Sequence, residues 1–152
     1  LNFWGRFFRV QYRILALIDP AVRRIWRRFG IGGIVELDVE RRDGRGVRSR
    51  MIGLLQLDSH LYIGHLSGDT GWTRDLRAAG RAVLRYHDGT EWLVRAVPLA
   101  LGDERERCLR ATGQHPFPGN LLHRLARRHM RVWAVYFRLE EVAADLGHAA
   151  LS

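Results

Sequence analysis

The chain has 152 residues, 47% of them hydrophobic and 27% charged, and a formal net charge of +9. This composition fits one globular domain and excludes a disordered chain, and a single cysteine, Cys108, excludes an internal disulfide framework and points weakly to a reducing, cytoplasmic compartment. All 25 basic side chains are arginine, which excludes Schiff-base and pyridoxal phosphate chemistry, while the positive surface suits an anionic cofactor, anionic lipid or nucleic acid.

Residues Asn2 to Ile18 have helical periodicity, with Trp4, Phe7, Phe8, Leu15 and Ile18 on one face and Arg6, Arg9 and Arg13 on the opposite one. Three arginines so closely spaced exclude a membrane span, and the lack of a small-residue cleavage site argues against a secretory signal. Asp19-Pro20 reads as the N-cap and first position of a second short helix that closes near Gly30 and exposes Arg23, Arg24, Arg27 and Arg28. Two readings of this segment stand side by side. It is either an amphipathic helical pair packed on its own domain or a basic, aromatic-rich helix lying on anionic membrane.

From Ile34 the period becomes two: Val35, Leu37 and Val39 alternate with Glu36, Asp38 and Glu40, and Arg42 to Gly46 is a hairpin turn. A second strand is predicted from Val47 to Leu57, a turn at Asp58 to His60, and a third strand from Leu61 to His65. Gly64 and Gly68 permit close backbone approach, and Asp69 and Thr70 are N-cap residue types for a helix from Gly71 to Ala79. The first N–H groups of such a helix have no internal partner, so its amino end is a ready anion site. Strands at Ala82–Tyr86 and Glu91–Leu101 follow, then a helix from Gly102-Asp103 to Thr112, an interruption at Pro116 to Gly119, and a helix near Asn120 to His129. Arg131–Leu139 reads as a last strand and Glu140–Leu146 as a short terminal helix. About six strands in hairpins give an α+β chain, mainly antiparallel β, built as a small barrel with appended helices.

The run Gly64-His65, Gly68-Asp69-Thr70, Trp72-Thr73-Arg74 and Leu76-Arg77-Ala78-Ala79-Gly80 resembles the signature segment of the deazaflavin-dependent nitroreductase and quinone reductase family. A looser likeness runs from about Tyr12 to Tyr86, through Asp19-Pro20, Trp26 to Gly30 and Arg48-Ser49. The resemblance implies a split β-barrel of the FMN-binding type, with residues 1–30 as an N-terminal amphipathic helical segment and residues 31–152 as the cofactor-binding part of a single domain. It implies the anionic coenzyme F420, held by Arg42, Arg48, Arg50, Met51, Gly64, His65, Trp72, Arg74, Asp75 and Leu76, and hydride transfer to a quinone-like, nitroaromatic or other electron-poor acceptor. His65 and Ser67 are weak candidates for a catalytic hydrogen bond, and each reads equally well as structural.

Departures from the family pattern raise specific questions. Arg42 and Arg48 match the basic hairpin, whereas Arg41, Asp43, Gly44 and Arg45 replace the family's glycine, basic residue, serine and glycine. Asp75 stands in place of asparagine, and a carboxylate there would repel a phosphate unless Arg48 or Arg74 pairs with it. The later segment offers His115, Phe117 and His123 where the family often has tyrosines. Trp72 falls with Leu76 and Ala79 on a helical stripe, so it reads either as core or as a cofactor contact.

Other chemistries are less well provided for. The histidines lack metal spacing, and Cys108, despite Arg105, Arg107 and Arg110 nearby, reads as a buried structural thiol. The alternatives are FMN in the same barrel, or a non-catalytic barrel storing an apolar ligand such as a fatty acid. Expected partners are a small electron acceptor and, through the N-terminal helix, the inner face of the cell membrane. Nucleic acid is not expected, because the aromatics follow core periodicity, and a homodimer is left open.

Overall fold

The computed structural model describes residues 3–30, 32–114 and 119–142. Alternation of apolar side chains produces seven strands among them: β1 (Ile34–Glu40), β2 (Val47–Gly53), β3 (Leu55–Leu57), β4 (His60–His65), β5 (Arg81–Arg85), β6 (Glu91–Pro98) and β7 (Val135–Glu141). All pair antiparallel in one sheet, in the order β2-β1-β5-β6-β7-β4-β3. Four helices accompany them: α1 (Phe3–Phe29), α2 (Gly71–Ala79), α3 (Asp103–Thr112) and α4 (Gly119–Trp133).

The predicted strand Val47–Leu57 is two strands that belong to opposite edges of the sheet. β2 pairs with β1, Gly53 and Leu54 carry the chain across, and β3 pairs with β4. A glycine at such a corner lets the backbone turn without a side chain in the way. The sheet therefore curls on itself, and β2 comes back into contact with β4 although the two lie five places apart in the order.

The curl gives the sheet two apolar faces. Val35, Leu37 and Val39 of β1, Leu84 of β5, Val94 of β6 and Phe137 of β7 point inward, where Trp72 and Leu76 of α2 fill the barrel. On the outer face Tyr62 and Tyr136 meet Cys108 and Leu109 of α3, Ala126 and Met130 of α4, and Phe8 of α1. Burial and the nearby Glu104 carboxylate push the Cys108 thiol up to about 11, so it is an inert core residue.

Two segments depart from local sequence signals. The expected helix pair at the amino end is the single helix α1, with Pro20 inside it. Proline removes one helical hydrogen bond there, and tertiary contacts outweigh the loss. Arg23 bonds Asp19 and the buried Glu36 of β1, and Trp26, fully buried, donates from its indole to the Ile34 carbonyl at 2.8 Å. Arg23 is thus half-buried and paired, not free on the surface; Leu15 and Ile18 have side chains outside the described set. The second departure is at residues 131–133, which form the last turn of α4 instead of a strand. Buried Arg105 donates to the terminal carbonyls of Arg131 at 2.9 Å and Ala134 at 2.7 Å, a cation placed where the helix dipole is negative. Glu140 and Glu141 belong to β7, Val142 continues past it with its N–H on the Leu93 carbonyl, and residues 143–146 of the expected terminal helix, like His115, Pro116 and Phe117, lie outside the described residues.

Gly64 is required by packing. A Cβ there would lie 2.5 Å from the Tyr136 ring and 2.9 Å from the Val135 carbonyl, in the register that sets Gly64 opposite Tyr136. Gly64→Ala should destabilise the protein by about 1–3 kcal/mol, the usual cost of overpacking. Chemical denaturation measures it, and adding Tyr136→Leu should return part of the loss.

Candidate functional site

Helix α2 begins and ends on local signals. Thr70 is the N-cap, its N–H donates to the Thr73 hydroxyl at 2.7 Å, and Gly80 closes the helix in the left-handed conformation at φ 67°. Asp69 steadies the turn by accepting from Thr73 Oγ1 at 3.2 Å and Arg77 Nη1 at 2.8 Å. The Thr70 hydroxyl oxygen is buried and faces the Thr73 backbone in a capping-box arrangement.

Thr70 lines a cavity of about 490 Å³ at the seam where β2 meets β4. Its walls are Arg48, Arg50, Met51, Ile52 and Gly53 from β2, Gly64 and His65 from β4, Thr70, Gly71 and Trp72 at the amino end of α2, and Asp19 of α1. Gly71 and Trp72 are first-turn residues whose N–H groups have no partner inside the helix. The Arg48 guanidinium lies flat over Gly71, about 3.4 Å from where a Cβ would stand. Cationic side chains and open amide donors thus converge on one concave surface.

Asp75 explains how the arginines are held. It is 2% exposed, and its two oxygens accept from Arg42 Nε at 2.9 Å and Arg48 Nε at 2.7 Å. Burial alone would raise its pKa, but the two arginine hydrogen bonds outweigh that and hold the carboxyl at about 2. Arg74, the other partner considered from sequence, is exposed and bonds the Thr70 carbonyl instead. Asp75 therefore does not face the cavity; it organises the arginines. The altered hairpin tip closes on itself through Arg41–Asp43 contacts at 2.8 and 3.1 Å, leaving Arg42 to reach inward.

Of the residues anticipated from sequence, Arg48, Arg50, Met51, Gly64, His65 and Trp72 line one cavity. Arg42 and Asp75 stand behind it, Leu76 is wholly in the barrel core, and Arg74 is on the outside of α2. Ser67 turns the other way, with its hydroxyl 3.2 Å from His129 Nε2, while His65 Nδ1 lies 3.1 Å from the Gly68 carbonyl and 3.3 Å from the Ser67 nitrogen. Burial pushes the His65 pKa below the usual imidazole range, so the ring is neutral at pH 7. Trp72 is both core and wall: it is buried among Phe137 and Leu76 and presents an edge to His65, with ring centroids 6.3 Å apart. Thr70, Gly71, Gly53, Asp19 and Ile52 were missed as lining residues. Thr70 carried a signal as the N-cap; Asp19 and Ile52 reach the cavity only through the tertiary fold. Among the described residues no group of three metal-ligating side chains exists.

The geometry has distant counterparts among solved structures. A Listeria innocua protein named after pyridoxamine 5'-phosphate oxidase matches at TM-score 0.52 and 12% identity, covering 87% of this chain and 93% of that one. This chain has the split-barrel fold. Campylobacter jejuni ChuZ matches at TM-score 0.51 and 12% identity over 83% of this chain and 53% of that chain. An F420 reductase matches at TM-score 0.42 and 14% identity, over 72% and 86%. At such identities the likeness carries the fold and nothing finer. No protein-family model matches the chain, and no curated protein matches it in sequence.

The Asp75 clasp makes a pH-dependent prediction. Its folded pKa of about 2 lies below the ordinary 3.8, so its stabilisation is complete above that ordinary value and fades as pH falls toward 2. Asp75→Asn should cost on the order of 1–3 kcal/mol at pH 7. The gap between variant and wild type in denaturant titrations should close as the pH is lowered from about 4 to 2; a gap that stays constant would mean that the charge of Asp75 is not what holds the arginines.

Proposed function

We propose that the split barrel binds an anionic flavin-type cofactor, coenzyme F420 in the leading reading, in the seam cavity and serves hydride transfer to an electron-poor acceptor such as a quinone or nitroaromatic. The observation that carries this is the convergence of Arg48, Arg50 and the first turn of α2 on one cavity. Its volume is within the range of small-molecule sites. The signature-like run from Gly64 to Gly80 supplies both the Gly64-His65 wall and the helix terminus, which supports the deazaflavin reading.

The residues fit such a group. First-turn amides of α2 would donate to phosphate oxygens, and Arg48 and Arg50 would neutralise their charge. Met51, Ile52 and Trp72 offer apolar surface to a planar ring and keep water from it. His65, neutral and held against the Gly68 carbonyl, would add a polar wall beside the ring. When bound, the deazaflavin supplies the hydride, so the protein's task is orientation. FMN has a phosphate suited to the same helix terminus and is the second reading. A fatty acid is disfavoured, because charged Arg48, Arg50 and Asp19 occupy the walls.

Titrating the protein separately with F420 and FMN, read by tryptophan fluorescence, tests the proposal. Saturable quenching is expected, stronger for F420. Trp72→Ala should remove much of the signal, and calorimetry should show Arg50→Ala weakening affinity by about 1 kcal/mol. Arg50 makes no ion pair among the described residues, so its loss leaves the Asp75 clasp intact. Absence of binding by either compound would overturn the proposal, and tighter binding of FMN would replace F420.

A further inference from the structure

The net charge of the molecule is localised. α1 contains seven arginines and one acid, Asp19, which is already bonded to Arg23. α4 contains four arginines and no acid. These two helices together carry +10 against the chain's +9, so the rest of the chain is close to neutral. They are also neighbours: Phe8 of α1 stacks on His129 of α4 with ring centroids 5.8 Å apart and packs into the same cluster as Ala126 and Met130.

Each helix has a second apolar stripe that faces away from the protein. On α1, Phe8 and Trp26 point inward, while Phe3, Val10 and Ile14 recur at helical spacing on the far side and are 55–71% exposed. On α4, Ala126 and Met130 point inward, while Leu125 and Val132 are 60% and 67% exposed, with Leu121 a turn before them. Arginines flank both stripes, Arg6, Arg9 and Arg13 on α1 and Arg124 and Arg128 on α4. A long outward apolar stripe edged by cations and almost without acids is the pattern of a helix lying in a membrane interface. A second copy of the chain is a poor occupant, because pairing these helices would bring arginine against arginine with no acid to meet them.

We infer that α1 and α4 together form a docking surface for an anionic lipid bilayer, with the exposed aliphatic and aromatic side chains entering the interface and the arginines meeting lipid phosphates. Arginine heads near the surface each contribute about fivefold in affinity at low salt. The two helices would lie in the interface plane, since no described helix is long and apolar enough to span a membrane.

The test is sedimentation of the full chain with vesicles of phosphatidylcholine containing phosphatidylglycerol, against phosphatidylcholine alone. Binding is expected only to the anionic vesicles, weakening as salt rises, with a blue shift of tryptophan emission as Trp133, half-exposed on α4, enters the interface. Val10→Asp with Ile14→Asp, and separately Leu125→Asp with Val132→Asp, should each lower affinity at least about tenfold. These positions are exposed, so unchanged circular dichroism and melting should accompany the loss. The inference is overturned if the protein ignores anionic vesicles at low salt, binds neutral ones equally, or keeps its affinity in both variants. It is equally overturned if the same variants instead abolish a dimer seen by analytical ultracentrifugation, or if a DNA duplex binds more tightly than the vesicles.

Discussion

The arrangement turns on one buried carboxylate. Asp75 sits inside α2, almost without solvent contact, and takes Arg42 from the hairpin turn on one oxygen and Arg48 from β2 on the other. This pins an edge strand, which has a sheet partner on one side only, to the helix that fills the barrel. Buried ion pairs add little net stability compared with apolar packing, but removing one partner is costly, so they act mainly as positional locks. Here the lock decides where Arg48 lies: over Gly71, at the open end of a helix. Glu36 works in a similar way on the other face of β1, where it takes Arg23 from α1 and Arg85 from β5. A chain whose only strong cations are arginines suits this device, because the planar guanidinium directs its donors and can lie flat against backbone.

The cavity is a consequence of how the barrel closes. A single extended run leaves one edge of the sheet as β2 and enters the other as β3, so closure is made by chain connectivity and not by a complete ladder of hydrogen bonds. What remains between β2 and β4 is a seam with side chains on both sides and the amino end of α2 at its mouth. Helix and seam therefore provide complementary halves of a site: amide donors and partial positive charge from one, arginines and apolar surface from the other.

The parts legible in the sequence were those with local causes. The bounds of α2 follow from Thr70 at its start and Gly80 at its end, and β1 follows from strict alternation between Ile34 and Glu40. The split barrel was readable from the hairpin pattern and the Gly64–Gly80 run, and the pairing of Arg48 with Asp75 was foreseen as one of two choices. The parts that were not legible depend on distant partners. Near Leu54 only Gly53 hints at a bend, and nothing local says that the strand beyond it pairs at the opposite edge of the sheet. Pro20 carries a strong local stop signal that Trp26 and Arg23 override by docking on β1. Likewise Arg131 to Trp133 alternate like a strand, but Arg105, more than twenty residues away in sequence, satisfies the helical ends of that turn. Arg42 reaches Asp75 across thirty-three positions, a contact that no spacing rule suggests.

The central claim is that the amino end of α2, held open beside Arg48, receives the anionic part of a flavin-type cofactor. Amide chemical shifts followed by NMR as F420 or FMN is added measure this directly. The account predicts that the largest shifts and the strongest protection from solvent exchange fall on the backbone N–H groups of Gly71 and Trp72, with smaller changes along β2 from Arg48 to Ile52. Changes centred instead between α3 and α4, with Gly71 and Trp72 unmoved, would contradict it.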